Sequence, residues 1–167
     1  QDEWSQGVKN FLVQENIDLS HLPEANYIRV HSVLEAFHTL AAHHRNNYSG
    51  KVIAIIGGNG KTWVKEWLYM LMYRDMSVYR SPGSYNSQVG VPLSVWNIPL
   101  ETSYAIIEAG ISSPGEMTKL QKIIRPDLVV FTHFGDAHDE GFGGDMHLKL
   151  SEKLIMCREA TSIVFPH

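Results

Sequence analysis

Ile55-Ile56-Gly57-Gly58-Asn59-Gly60-Lys61-Thr62 joins an apolar run at 52–56 to a stretch of helical periodicity that begins at Lys61. Glycines let backbone N–H groups turn toward an anion, and the start of a helix adds partial positive charge. A lysine at this position reaches terminal phosphates, and a threonine hydroxyl can ligate Mg²⁺. As a bare pattern the stretch could be a glycine turn with a capping threonine. The strand before it and the helix after it favour a phosphate-binding loop, with Gly57, Gly58, Asn59, Gly60, Lys61 and Thr62 as its binding residues. The eight-residue form of the motif would place glycine at 55, where this chain has Ile55, so the match is to the shorter G-x-N-G-K-T loop. Trp63 is unexpected beside a phosphate site and is expected to pack against the sheet.

Working outward, the same alternation continues. Strands are predicted at 52–56, 77–80, 104–108, 128–132 and 162–165, separated by helices at 61–73, near Leu93, at 116–124 and around 148–159. Strands that read as continuous apolar runs between helices imply a mostly parallel sheet covered on both faces, so the fold class is α/β. Upstream, 8–14 and 27–30 read as short strands. A helix is predicted over 32–45, with Val33, Leu34, Phe37, Leu40 and Ala41 on one stripe, Ser32 as N-cap and Glu35 three residues on. The polar turn Asn46-Asn47-Tyr48-Ser49-Gly50 places a domain boundary there, giving 1–48 and 49–167. The upstream part is too small to hold a core of its own.

Composition bounds the function. The 167 residues are 44% hydrophobic and 19% charged, with 14 Lys+Arg against 18 Asp+Glu and a formal net charge of -4. That balance argues against a general nucleic-acid binder, whose footprint is a basic face. No apolar run approaches the roughly 18 residues needed to cross a bilayer, so no membrane span is expected. The single cysteine, Cys157, allows no internal disulfide and no CxxC metal site, which fits a reducing compartment. No signal peptide is visible in the first residues.

Three further segments follow core strands. Glu108 ends the 104–108 strand and faces the ligand crevice of a parallel sheet. Beside a phosphate loop a carboxylate there is placed to hold Mg²⁺, the plain alternative being a solvated strand-end acid. Ser112 lies in the segment that continues from it and is a candidate substrate contact. The polar loop 81–92 contains Asn86 and Ser87, which suit phosphate or substrate oxygens, and a structural turn accounts equally well for its composition. The segment 132–142 holds two histidines and three acids. One loop rarely supplies a whole tetrahedral zinc site, so Mg²⁺ is expected rather than zinc. His38, His43 and His44 on the upstream helix read as surface or interface residues.

These motifs together resemble the Mur ligases, ATP-dependent amide-forming enzymes of peptidoglycan synthesis, over nearly the whole chain. Gly57-Gly-Asn-Gly-Lys-Thr62 resembles the family's G-T/S-N-G-K-T loop, and Tyr85-Asn-Ser-Gln-Val-Gly-Val-Pro-Leu93 its N-N-x-x-G-x-P-L segment. Glu108-Ala-Gly-Ile-Ser-Ser-Pro-Gly-Glu116 is similar to the E-M-G-x-x-x-P-G-E stretch of the MurF branch, and 132–142 to its T-N-I-x-x-A-H-L-E-G-F. The resemblance implies ATP and Mg²⁺ as cofactors, with Lys61 and Thr62 toward both, and Glu108 and His138 toward the metal. It further implies that Lys153 is the lysine that many members carbamoylate, giving an anionic metal ligand; without the resemblance Lys153 reads as a solvated helix lysine. The implied substrates are a UDP-N-acetylmuramoyl tripeptide and D-alanyl-D-alanine, joined in the cytoplasm through an acyl phosphate. Three departures stand out: His133 for the usual Asn, Gly58 and Trp63 for small hydroxylic residues, and one extra residue around 143–147.

By the family's three-domain pattern, 1–48 corresponds to the tail of a UDP-sugar domain and 49–167 to an incomplete middle domain. The amine-binding C-terminal domain is then missing, and a fragment inactive in isolation is expected. Val64-Lys-Glu-Trp-Leu68 and Ser81-Pro-Gly-Ser-Tyr-Asn86 are similar to versions of the branch fused to an alanine racemase domain, which implies a bifunctional parent. The alternatives are a folylpolyglutamate synthase-like ligase, disfavoured by Pro114-Gly-Glu116 and Ala137-His138, and a non-catalytic nucleotide-binding module.

Overall fold

The computed structural model describes residues 7–18, 20, 25–134 and 140–166. The chain divides into two compact units, Gln1–Phe37 and His38–His167. In the first, strands β1 (Asn10–Gln14) and β2 (Asn26–Val30) pair in parallel, Asn10 opposite Asn26 and Gln14 opposite Val30. The Asn26 side-chain amide donates to Asn10 Oδ1 at 2.9 Å, and the Phe11 and Tyr27 rings lie 6.1 Å apart. Helix α1 (Val33–Asn47) runs through the division between the units. Ser32 caps its start, its Oγ accepting from Glu35 N at 3.3 Å.

The second unit is built on a five-stranded, wholly parallel sheet. Its strands are β3 (Lys51–Ile56), β4 (Val78–Arg80), β5 (Tyr104–Glu108), β6 (Leu128–Phe131) and β7 (Ser162–Val164), in the order β4-β5-β3-β6-β7. The connections carry α2 (Lys61–Met72), α3 (Gly90–Trp96), α4 (Glu116–Ile124) and α5 (Met146–Leu154). The predicted α/β class is thus the observed one. Because successive strand residues point to opposite faces, the strands divide cleanly. Val52, Ala54, Ile56, Ala105, Ile107, Val129 and Phe131 enter the larger core with residues of α3 and α4. Ile53, Ile55 and Ile106 enter a smaller one with Val64, Leu68, Tyr69 and Met72 of α2.

Helix α5 departs from its expected span of 148–159. It starts earlier because the Asp145 carboxylate accepts from Leu148 N at 2.9 Å, a capping bond that fixes the first turn. It stops earlier because the chain tightens into a 3₁₀ turn over Ile155–Cys157. Trp63 does not pack against the sheet: it is 68% exposed and its ring lies 6.0 Å from that of Trp67. At 100° per residue, Trp63 and Trp67 stand well round the helix from the stripe formed by Lys61, Val64, Lys65, Leu68 and Met72, which has the sheet face. Among the described residues no helix is long and apolar enough to cross a membrane.

At the N-terminal edge of the sheet, polar groups fasten the strands. Arg45 is buried, and its guanidinium donates to Ile124 O (2.8 Å), Arg125 O (2.9 Å) and Tyr48 O (3.1 Å), which satisfies carbonyls at the end of α4. Asp127 accepts from Lys51 Nζ at 2.7 Å and Val52 N at 2.9 Å, and its own carbonyl accepts from Thr161 N at 2.9 Å. Burial acts to raise the Asp127 carboxyl, but the bonds from Lys51 and Val52 and the charges of Lys51 and Arg45 outweigh it and hold it below its ordinary 3.8. A carboxyl depressed on folding stabilises fully above its unfolded value, and that contribution is lost as pH falls through the folded one. Asp127→Asn should cost about 1–2 kcal/mol at neutral pH. In urea titrations at several pH values its deficit against the parent should narrow between about pH 5 and pH 3.

Candidate functional site

The loops that follow β3, β5 and β6 open at the C-terminal edge of the sheet, where β3 is flanked by β5 and β6. This is the crevice in which parallel α/β sheets place ligands. After β3 the chain turns through Gly57, with φ +136°, and Gly60, with φ +82°. A Cβ at Gly57 would collide with Thr132 Oγ1, because Thr132 at the end of β6 lies directly against the loop. Thr132 Oγ1 donates to Asn59 O at 2.9 Å, and Gly58 N donates to the carbonyl of His133 at 2.6 Å. Nothing lies within 4 Å of the Cβ position of Gly60, no side chain caps α2, and its first turn holds no acid. The leading N–H groups of that helix lack intrahelical partners and therefore favour an anion.

Alternation along β5 aims the carboxylate. Ile106 points toward α2, so Glu108, two residues on, does the same, and α2 begins with Lys61 and Thr62 at that point. Thr62 Oγ1 donates to Glu108 Oε2 at 2.8 Å. From the loop after β4, Asn86 Nδ2 donates to Glu108 Oε1 at 2.6 Å. Glu108 is only 1% exposed, and its own backbone N–H donates to Ser81 Oγ at 3.2 Å. It is thus a buried, bonded carboxylate rather than a solvated strand-end acid.

Lys61 is also buried, with Nζ donating to Gly58 O at 2.5 Å and Gly57 O at 3.4 Å. Burial pushes its ammonium below the ordinary lysine value, and the charge of Glu108 pulls it back up. Lys153 comes from α5, across 96 residues of sequence, to donate to Gly57 O at 2.7 Å. At 3% exposure it is no solvated helix lysine. A cleft of about 260 Å³ beside these groups is lined by Lys61, Asn86, Ser87, Gly110, Ser112 and Glu116 among others. Ser87 Oγ accepts from Gly90 N at 3.2 Å, and Ser112 N donates to Glu116 Oε2 at 2.6 Å, so both are held by local bonds at its rim. His138 lies outside the described residues, as do the other residues of 135–139 in the segment read for zinc or Mg²⁺.

Motif reading passes over Lys65 and Glu152, and it reads His38 and His44 as surface or interface residues. Lys65, fully buried one helical turn beyond Lys61, donates to Ser81 O at 2.8 Å and to Gly83 O, with Glu108 Oε2 at 3.8 Å. Its signal in sequence is a lysine set in the apolar stripe of α2. Glu152 of α5 accepts from Met117 N at 3.1 Å and so anchors the start of α4. His38 Nε2 is 2.7 Å from Gln88 O and joins helix α1 to the Asn86 loop, while His44 Nε2 is 2.8 Å from Ile98 O.

The donor set has a definite chemical character. Thr62 and Glu108 offer hard oxygens, which suit Mg²⁺, and Lys61 with the uncapped helix start suits phosphate. The glycine cradle leaves the backbone room to approach such a group.

Fold and site together define an α/β domain of the phosphate-loop type. The family model of the Mur ligase middle domain matches residues 55–162, and the chain belongs to the Mur ligase family. It is 35% identical over 116 residues to the UDP-N-acetylmuramoyl-tripeptide--D-alanyl-D-alanine ligase of Borreliella burgdorferi, covering 70% of this chain and 25% of that protein. With the Rickettsia prowazekii ligase of the same name it shares 31% over 142 residues, 85% of this chain and 31% of that one. Among solved structures, MurF ligase from Thermotoga maritima in complex with ADP superposes with a TM-score of 0.79 at 30% identity, covering 91% of this chain and 34% of that one. MurF from Acinetobacter baumannii gives 0.80 at 28%, covering 89% and 32%. The chain therefore spans about a quarter to a third of the length of these relatives.

Gly57→Ala places a side chain at φ +136° and against Thr132 Oγ1. It should lower unfolding stability by at least about 2 kcal/mol in urea titration, with the loss shared by the β3 and β6 loop amides in hydrogen exchange.

Proposed function

We propose that residues 49–167 form the ATP-binding part of a MurF-type ligase and that residues 1–48 belong to the adjoining UDP-sugar-binding part. The observation that carries this reading is the meeting of Lys61, Thr62 and Glu108 at the uncapped start of α2, in a chain of the Mur ligase family. The ADP found in the Thermotoga maritima MurF structure supports it. The substrates are then a UDP-N-acetylmuramoyl tripeptide and D-alanyl-D-alanine, and the reaction belongs in the cytoplasm with its nucleotide-linked precursor.

ATP with Mg²⁺ supplies an activated phosphoryl group, which passes to the peptide carboxylate to give ADP and an acyl phosphate; attack by the amine then forms the amide with loss of phosphate and a proton. In this reading Lys61 swings its Nζ from the Gly57 and Gly58 carbonyls to the terminal phosphates. The N–H groups of Asn59, Gly60, Lys61 and Thr62 cradle the remaining oxygens. The Thr62 hydroxyl and Glu108 carboxylate, with His138, would hold the metal. Lys153 stands against the same loop, where a carbamate on Nζ would replace a cation with an oxygen ligand. Asn86, Ser87 and Ser112 face the peptide end of the cleft and orient the acceptor carboxylate. Preorganised charge of this kind is the main source of acceleration in phosphoryl transfer.

The test is calorimetric titration of the chain with a non-hydrolysable ATP analogue, with and without Mg²⁺. Binding that tightens with Mg²⁺ is expected. Lys61→Ala should weaken it by about 100-fold or more, the scale of a lost charge-assisted bond to phosphate in a buried site. Unchanged affinity in that variant would remove the phosphate-loop assignment.

A further inference from the structure

Lys65 is a fully buried cation to which the phosphate-loop reading gives no role. Its acceptors are Ser81 O and Gly83 O, with Glu66 Oε1 at 3.3 Å and Glu108 Oε2 at 3.8 Å. Glu66 already has a cation of its own. Arg80 Nε lies 2.7 Å from Glu66 Oε2, and the Arg80 guanidinium stacks 3.7 Å over the Tyr69 ring. The charge of Lys65 is thus shared between Glu66, which also has Arg80, and the buried carboxylate of Glu108.

Glu108 is consequently engaged on every side. Thr62 and Asn86 each donate to one of its oxygens, Lys65 stands behind it, and Lys61 lies close enough that the Glu108 charge acts on its ammonium. A divalent cation reaching this carboxylate alone meets two ammonium groups in a poorly hydrated site and must also displace the Thr62 hydrogen bond. A polyphosphate reverses the sign of the field and draws Lys61 away.

We propose that Lys65 is a positioning residue that makes capture of a divalent cation by Glu108 conditional on bound nucleotide. The inference rests on the nucleotide-binding reading above and adds an order to it: phosphate first or together with the metal, never metal alone. Lys65 achieves this in two ways. Its charge occupies the carboxylate, and its bonds to Ser81 and Gly83 set the loop that carries Asn86.

Mn²⁺ is the probe, followed by electron paramagnetic resonance on the whole chain with and without a non-hydrolysable ATP analogue. In the parent, nucleotide-free Mn²⁺ binding should be weak and should tighten at least about tenfold with the analogue; tight binding of Mn²⁺ alone overturns the proposal outright. Lys65→Met should raise nucleotide-free Mn²⁺ affinity by about tenfold, as expected for removing one nearby unit charge in a screened but buried site. Adding Glu108→Gln should abolish that gain, which separates Glu108 from the unmasked Glu66. An unchanged or lowered nucleotide-free affinity in Lys65→Met overturns the proposal, as does a gain that survives Glu108→Gln. Lys65→Gln, which keeps a donor for Ser81, replaces the methionine variant if melting shows that one unfolded. Failure of the parent to bind the analogue at all would instead defeat the nucleotide reading, while the nucleotide-free comparison would still decide the role of Lys65.

Discussion

A carboxylate removed from water must be compensated, and the crevice of this protein is organised by how Glu108 is compensated. Four groups from two segments contribute: the Thr62 hydroxyl and the Lys65 ammonium from α2, and the Asn86 amide and Ser81 Oγ from the loop after β4, the last at the backbone of Glu108. These segments are distant in sequence, yet each must hold its register for the carboxylate to stay buried. The parallel sheet makes this possible. Pairing of Ile55 opposite Glu108 fixes where β5 ends relative to the phosphate loop, and strand alternation fixes which way Glu108 points. The site thus follows from the sheet register, with the loops adding donors to a position already determined.

The two edges of the sheet use charge for opposite purposes. At the N-terminal edge, Arg45 and Asp127 are saturated by backbone groups of α4, β3 and the entry to β7, so their charges are spent on closing strand and helix ends. At the C-terminal edge, Lys61 and Lys153 donate to weak competitors for a phosphate, the carbonyls of Gly57 and Gly58. A carbonyl is a neutral acceptor, and a charged oxygen forms roughly twice as strong a bond to an ammonium. The first arrangement resists rearrangement; the second yields to an anion.

Much of this was legible in the sequence because it is local or periodic. The alternation of apolar runs and helical stripes gave the α/β class. The strand into Gly57 and the helix out of Lys61 gave the loop, and a carboxylate closing an apolar strand gave Glu108. What sequence alone hid depends on tertiary neighbours. Lys65 reads as an ordinary polar interruption of a helix until Ser81, Gly83 and Glu108 are placed around it. Trp63, unexpected beside a phosphate site, was expected against the sheet, but the helical angle leaves no room for it on a face held by Val64 and Leu68. Lys153 was singled out by family resemblance and otherwise looked like a surface lysine; only the packing of α5 brings it to Gly57. The earlier start of α5 was signalled by Asp145, a capping residue three positions before Leu148.

The departures from the family's motifs fall where the site uses backbone or nothing at all. Gly58 stands where a hydroxylic residue is usual, and it takes part through its N–H, bonded to His133 O, and its carbonyl, bonded to Lys61. His133 stands where asparagine is usual, yet it is an exposed residue whose contribution to the loop is that same carbonyl. Trp63 replaces a small residue and points away from the crevice, against Trp67. A main-chain contact survives a change of side chain provided the backbone path is kept, and Gly57 and Gly60 keep it here. The side chains that carry charge or a hydroxyl into the crevice, Lys61, Thr62 and Glu108, are the ones for which no backbone group can substitute, and all three match the family pattern.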